Sequence, residues 1–100
     1  MEKRKAHYPL ADVKRLIEER KVCFTKTALE GGTAMGFDAE AMLEVVAALK
    51  AKDLHKSMTT HRDHKVWQDV YHAETDRGVV YIKLTVAEDL LIVSFKEKDA

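Results

Sequence analysis

One hundred residues normally make a single domain, and 46% hydrophobic residues allow a core of modest size. Charged residues make up 34% and cancel to a formal net charge of +0. That balance excludes a disordered tail and a uniformly basic nucleic-acid coat. The lone Cys23 excludes an internal disulfide and a cysteine-rich zinc pattern.

No apolar run approaches the ~18 residues of a membrane span. The basic start MEKRKAHYPL leads into an amphipathic pattern, not an apolar leader core. A soluble cytoplasmic chain is the expectation, with residues 1–100 as one domain. Charge is uneven along it: Lys3, Arg4, Lys5, Lys14, Arg15, Arg20, Lys21 and Lys26 outnumber Glu2, Asp12, Glu18 and Glu19. Such a basic amino end can steer a polyanion, although it reads equally well as a solvated surface.

In PLADVKRLIEERK, Leu10, Val13, Leu16 and Ile17 recur at helical spacing, with Pro9 tolerated at the start. The run Val22–Phe24 fits a strand or a linker. TKTALEGGTAMG holds helix formers, but Gly31 and Gly32 each cost ~1 kcal/mol against alanine in a helix interior. Gly36 is a terminator. Asp38 then reads as an N-cap, with Phe37 and Met42 placed for a hydrophobic staple. The helix it opens carries Met42, Val45, Val46 and Leu49 on one stripe to about Lys50.

From residue 53 the period becomes two. DLHKSMTT puts Leu54, Lys56, Met58 and Thr60 on one face. VWQDVYH sets Trp67, Asp69 and Tyr71 against Val66, Gln68, Val70 and His72. VVYIKLTV buries Val80, Ile82, Leu84 and Val86, and LLIVSFKEK is nearly continuous, as a central strand would be. The polar segments HRDHK, AETDRG and AED suit hairpin turns. Short turns imply an antiparallel meander of four strands. Helices followed by such a sheet make an α+β domain with the helices on one face.

Several chemistries find little support. His61 and His64 are three apart with Asp63 between, but no third metal ligand is fixed by spacing, so a solvated turn is the better reading. Cys23 sits in VCF, an apolar setting in which a thiol is usually buried and inert. There is no nucleophile elbow and no glycine-rich phosphate loop. What remains is a polar set carried by separate strands: Lys56, Gln68, Tyr81 and Lys96, with His55, His72 and Lys83 nearby. Each has a plain alternative, such as an edge lysine that blocks aggregation.

KSMTT, DH and WQDVY, followed by VYIKLTV and LIVSFKEK, make the chain resemble the MqsR family of motility quorum-sensing regulator toxins along essentially its whole length. The resemblance implies a RelE-like microbial ribonuclease toxin fold and a metal-independent mRNA endoribonuclease, with no cofactor and with GCU-type cleavage sites. It implies a role in stress response, by inhibiting translation and growth. It also implies a cognate MqsA-like antitoxin that binds zinc and DNA, so that promoter DNA is met only through that partner. The family's catalytic positions fall on Lys56, Gln68, Tyr81 and Lys96. His55, Met58, His72 and Lys83 are the candidate substrate contacts, and His55 and His72 stand where tyrosine and arginine can occur in the family.

Metal-free RNA cleavage uses the substrate's own 2′-hydroxyl and leaves 2′,3′-cyclic phosphate and 5′-hydroxyl ends. Three tasks then fall to the protein: removing the 2′ proton, balancing phosphorane charge and protonating the leaving oxygen. Lysine, with an ordinary pKa of ~10.4, needs burial or neighbouring cations to act as the base. Histidine titrates near neutrality. Strict alternation turns His55 away from the Lys56 face and leaves His72 with Gln68. The other reading is a non-catalytic antitoxin-binding or regulatory module on the same fold. An exposed sheet edge would let the antitoxin extend or cover the sheet.

Overall fold

The computed structural model describes residues 1–99. Three helices, α1 (Leu10–Glu18), α2 (Lys26–Ala34) and α3 (Ala39–Ala47), precede a 3-10 turn at Ala51–Asp53. The strands β3 (Leu54–Thr59), β4 (Trp67–Thr75), β5 (Gly78–Val86) and β6 (Leu90–Glu97) follow. Two shorter strands lie earlier, β1 (Glu2–Lys3) and β2 (Val22–Phe24), and the six form one sheet in the order β1-β3-β4-β5-β6-β2. The α+β class follows from the sequence, and β3 to β6 are the expected antiparallel meander.

The apolar run Val22–Phe24 is a strand, parallel to β6. A parallel pair needs a long connection, and the chain from α2 to β5 supplies it. Cys23 alternates away from Val22 and Phe24, which pack on the core, and is exposed on this edge strand. The expectation of a buried thiol is corrected there.

Helix ends follow local chemistry. Asp38 accepts a hydrogen bond from the Ala41 N–H at 2.8 Å, capping α3, which stops at Ala47 rather than Lys50. Gly36, at φ +91°, ends α2: the Phe37 N–H donates to the Gly32 carbonyl and the Gly36 N–H to that of Thr33. This double return is the glycine-ended helix stop. Inside α2, a Cβ on Gly31 would run into the Phe95 carbonyl oxygen, and one on Gly32 into the Met42 sulfur. The two residues that weaken the helix let it lie close on β6 and α3.

The core lies between the helices and one sheet face, with Val13, Met42, Val46, Ile82, Leu84 and Phe95 among its buried members. Asp69 is fully buried at the margin and accepts from the backbone N–H groups of His7 at 3.1 Å and Tyr8 at 2.9 Å. These bonds tie the amino-terminal segment to β4. Beyond them, β1 pairs with Ser57 and Met58.

Candidate active site

The sheet face turned away from the helices carries the polar residues singled out in the sequence, in three cross-strand rows. In the first, Met58 faces Gln68. In the second, Lys56 faces Val70, Val70 faces Lys83, and Lys83 faces Ser94. In the third, His72 faces Tyr81 and Tyr81 faces Lys96. Val70 is 0% exposed yet lies outside the helix-side core cluster. It forms an apolar floor between the two lysines.

Two β-bulges set this arrangement. The β3–β4 register steps from Leu54 opposite Tyr71 to Lys56 opposite Val70, which leaves His55 as the extra residue. A bulge breaks strict alternation and re-aims side chains. Leu54 therefore packs on the core, not beside Lys56 as the period predicts. The His55 ring stacks on His72 with centroids 4.4 Å apart and 21° between planes. The expectation that His55 points away from the site is thus overturned.

The second bulge lies between β5 and β6, where Lys83 faces Ser94 but Leu84 faces Ile92. Leu90 and Ile92 are buried on the helix side, and strict alternation would send Lys96 there too. The extra residue instead buries Phe95 and turns Lys96 to the open face. Its Nζ stands 5.3 Å from the Tyr81 ring centroid. No glycine or proline marks either bulge, so nothing in the sequence announces them.

The site gathers unevenly. His55, His72, Tyr81 and Lys96 make a continuous line: the His72 and Tyr81 rings are 5.9 Å apart. Lys56 and Lys83 lie one row away. Gln68 and Met58 lie further along, Gln68 four residues from His72 and so roughly 13 Å by strand rise. Gln68 is on the right face but not beside the phenol. His61 and His64 are exposed in the turn between β3 and β4. Among the described residues, no three His, Cys, Asp or Glu side chains converge as metal ligands.

Electrostatics fit a polyanion. Burial pushes the Lys83 ammonium below its ordinary value, and the Lys96 and Lys56 charges push the same way. Burial also lowers His72, helped by His55 and Lys98 and opposed by Asp99. Arg4 adds a cation at the rim, its guanidinium donating to the His55 carbonyl at 3.2 Å. One contact escaped sequence reading: the Glu2 carboxylate lies 3.3 Å from Lys56 Nζ. It depends on β1, whose two residues are too short to show a period.

Residues 5–97 match the family model described as motility quorum-sensing regulator, toxin of MqsA. The chain is also 47% identical over 98 residues to the mRNA interferase toxin MqsR of Escherichia coli (strain K12), covering 98% of this chain and 100% of that protein. With nearly its whole length matched on both counts, this chain belongs to the motility quorum-sensing regulator family, the toxins of MqsA.

Proposed function

We propose that this chain is the toxin of a toxin–antitoxin pair and cuts mRNA on the open sheet face, by attack of the substrate's own 2′-hydroxyl. The single observation that carries this reading is the meeting of Lys56, Lys83, Lys96 and Tyr81 on two adjacent rows over the Val70 floor. Three cations above an apolar floor bind a phosphodiester and balance the added charge of a phosphorane, and desolvation strengthens each contact.

Lys56 holds the scissile phosphate, with Lys83 across Val70 from it. Lys96 balances charge in the transition state. The Tyr81 phenol donates its proton to the departing 5′ oxygen. Gln68, with Met58 opposite, contacts a neighbouring nucleotide rather than the reacting phosphate, because it sits at the far end of the face. Cleavage gives 2′,3′-cyclic phosphate and 5′-hydroxyl ends without a metal, at GCU-type sites, and acts on cytoplasmic message. The antitoxin, a zinc- and DNA-binding protein, adds to or covers the sheet, whose outer strands β1 and β2 are only two and three residues long.

The test is single-turnover cleavage of a GCU-containing RNA in the presence of chelator. Lys56→Ala and Tyr81→Phe each slow it by about 10²-fold or more, and a 2′-deoxy scissile nucleotide abolishes it. Cleavage of the deoxy substrate, or wild-type rates in both variants, would overturn the assignment. Intact RNA at high concentrations of folded protein would instead favour a regulatory module.

A further inference from the structure

Among the described residues, neither ring nitrogen of His72 is hydrogen-bonded to a protein group, and neither is the Tyr81 hydroxyl. One face of the His72 imidazole is covered by His55 at 4.4 Å, and the Tyr81 ring lies on its other flank at 5.9 Å. A histidine flanked on both sides is poorly placed to stack a nucleobase, but its nitrogen edge is free. General bases need such an edge, a ring held in place, and a neutral form at the working pH.

We infer that His72 is the general base of the cleavage reaction, with His55 as the positioning residue that holds its ring beside Tyr81. This rests on the ribonuclease reading above. In the step, an unprotonated His72 nitrogen takes the proton of the 2′-hydroxyl. The 2′ oxygen then forms its bond to phosphorus, and the bond from phosphorus to the 5′ oxygen breaks with its electron pair. Tyr81 supplies the proton to that oxygen, and solvent returns a proton to Tyr81 while accepting one from His72. No lysine has to be uncharged, so Lys56, Lys83 and Lys96 all remain available to the phosphate.

The charged and titratable groups around His72 are His55 on β3, Tyr81 on β5, Lys96 on β6, and Lys98 and Asp99 just beyond it. Burial, His55 and Lys98 hold its pKa below the ordinary histidine value and outweigh Asp99. The lowering favours the neutral imidazole at pH 7. The cleavage rate should rise with pH through an acid limb below that ordinary value and level off by neutrality.

The experiment measures single-turnover rates on a GCU-containing RNA from pH 4.5 to 8, for wild type, His72→Gln, His72→Phe, His72→Ala and His55→Phe. Circular dichroism checks that each variant folds. All three His72 variants are expected to lose about 10²-fold or more. Added imidazole should restore part of the rate to His72→Ala and none to Lys56→Ala. In His55→Phe the acid limb should move to higher pH, because one source of the depression is gone. Retention of the wild-type rate and acid limb by folded His72→Gln, or of the rate by His72→Phe, would overturn the inference. If Lys56→Ala and Tyr81→Phe were still impaired in that case, the ribonuclease reading would stand without it. Absence of cleavage by wild type would remove both.

Discussion

The Glu2 carboxylate stands 3.3 Å from Lys56 Nζ and so occupies the cation proposed to hold the scissile phosphate. Bound RNA must displace it. The pair is half open to water, with Lys56 27% and Glu2 59% exposed, so the interaction is worth at most about 1 kcal/mol. Glu2→Gln should therefore tighten RNA binding about threefold at low salt. Because the Debye length falls to about 3 Å at 1 M salt, the gain should vanish there. Titration of a labelled 2′-deoxy RNA into both proteins checks this, and equal affinities at every salt would mean that Glu2 does not compete.

The close seat of α2 on β6 gives a second expectation. A Cβ at Gly31 meets the Phe95 backbone carbonyl, which cannot rotate aside, while one at Gly32 meets the end of the Met42 side chain. Gly31→Ala should cost about 1–3 kcal/mol by overpacking despite the gain of ~1 kcal/mol in helix propensity. Gly32→Ala should cost less, because a thioether can change rotamer. Urea unfolding ranks the two. Gly31→Ala should also slow cleavage, because Lys96 follows directly on the strand that is pushed.

Lys83 exposes a conflict between stability and function. Burial first, then Lys96 and Lys56, hold its pKa below the ordinary lysine value. A lysine that binds its proton less tightly in the folded chain than in the unfolded one costs stability at neutral pH. That cost lifts as pH rises toward the ordinary value. Lys83→Gln should therefore raise the midpoint of thermal unfolding at pH 7, with a smaller gain near pH 10. RNA affinity should fall in the same variant, and its dependence on salt should weaken by about one counterion. A variant both less stable and unchanged in RNA binding would contradict the proposed role.

The sequence made the meander readable because β3 to β6 bury one face against helices, which forces a period of two on their residues. It also disclosed Asp38 and Gly36, whose roles rest on local bonding. Lys56, Gln68 and Tyr81 lie on the open face as simple alternation predicts. His55 and Lys96 do not obey it. Each owes its direction to a bulge, and a bulge made from ordinary residues carries no mark that a periodic pattern can reveal. The β1 strand escaped for another reason: the Asp69 bonds that tie the backbone of His7 and Tyr8 to β4 join residues 62 and 61 positions apart in the chain.

Tyr71 gives a prediction about the fold rather than the site. It faces the helix-side core at 1% exposure, and its hydroxyl is buried with no hydrogen-bond partner among the described residues. Burial, with Asp69 and Asp53 acting in the same direction, raises its pKa from 10.0 to about 12. The folded value lies above the unfolded one. Stability from this group is therefore complete below pH 10 and is lost as pH rises toward 12, by about 2–3 kcal/mol in all. Tyr71→Phe removes that loss and keeps the ring. At pH 7 it should be neutral or stabilising by up to about 1 kcal/mol, because the deleted hydroxyl has no partner. Urea unfolding at pH 7, 10 and 11 measures both effects. The variant's advantage should widen at each alkaline step, and a constant difference across the three would show that the phenol ionises as readily in the folded chain as in the unfolded one.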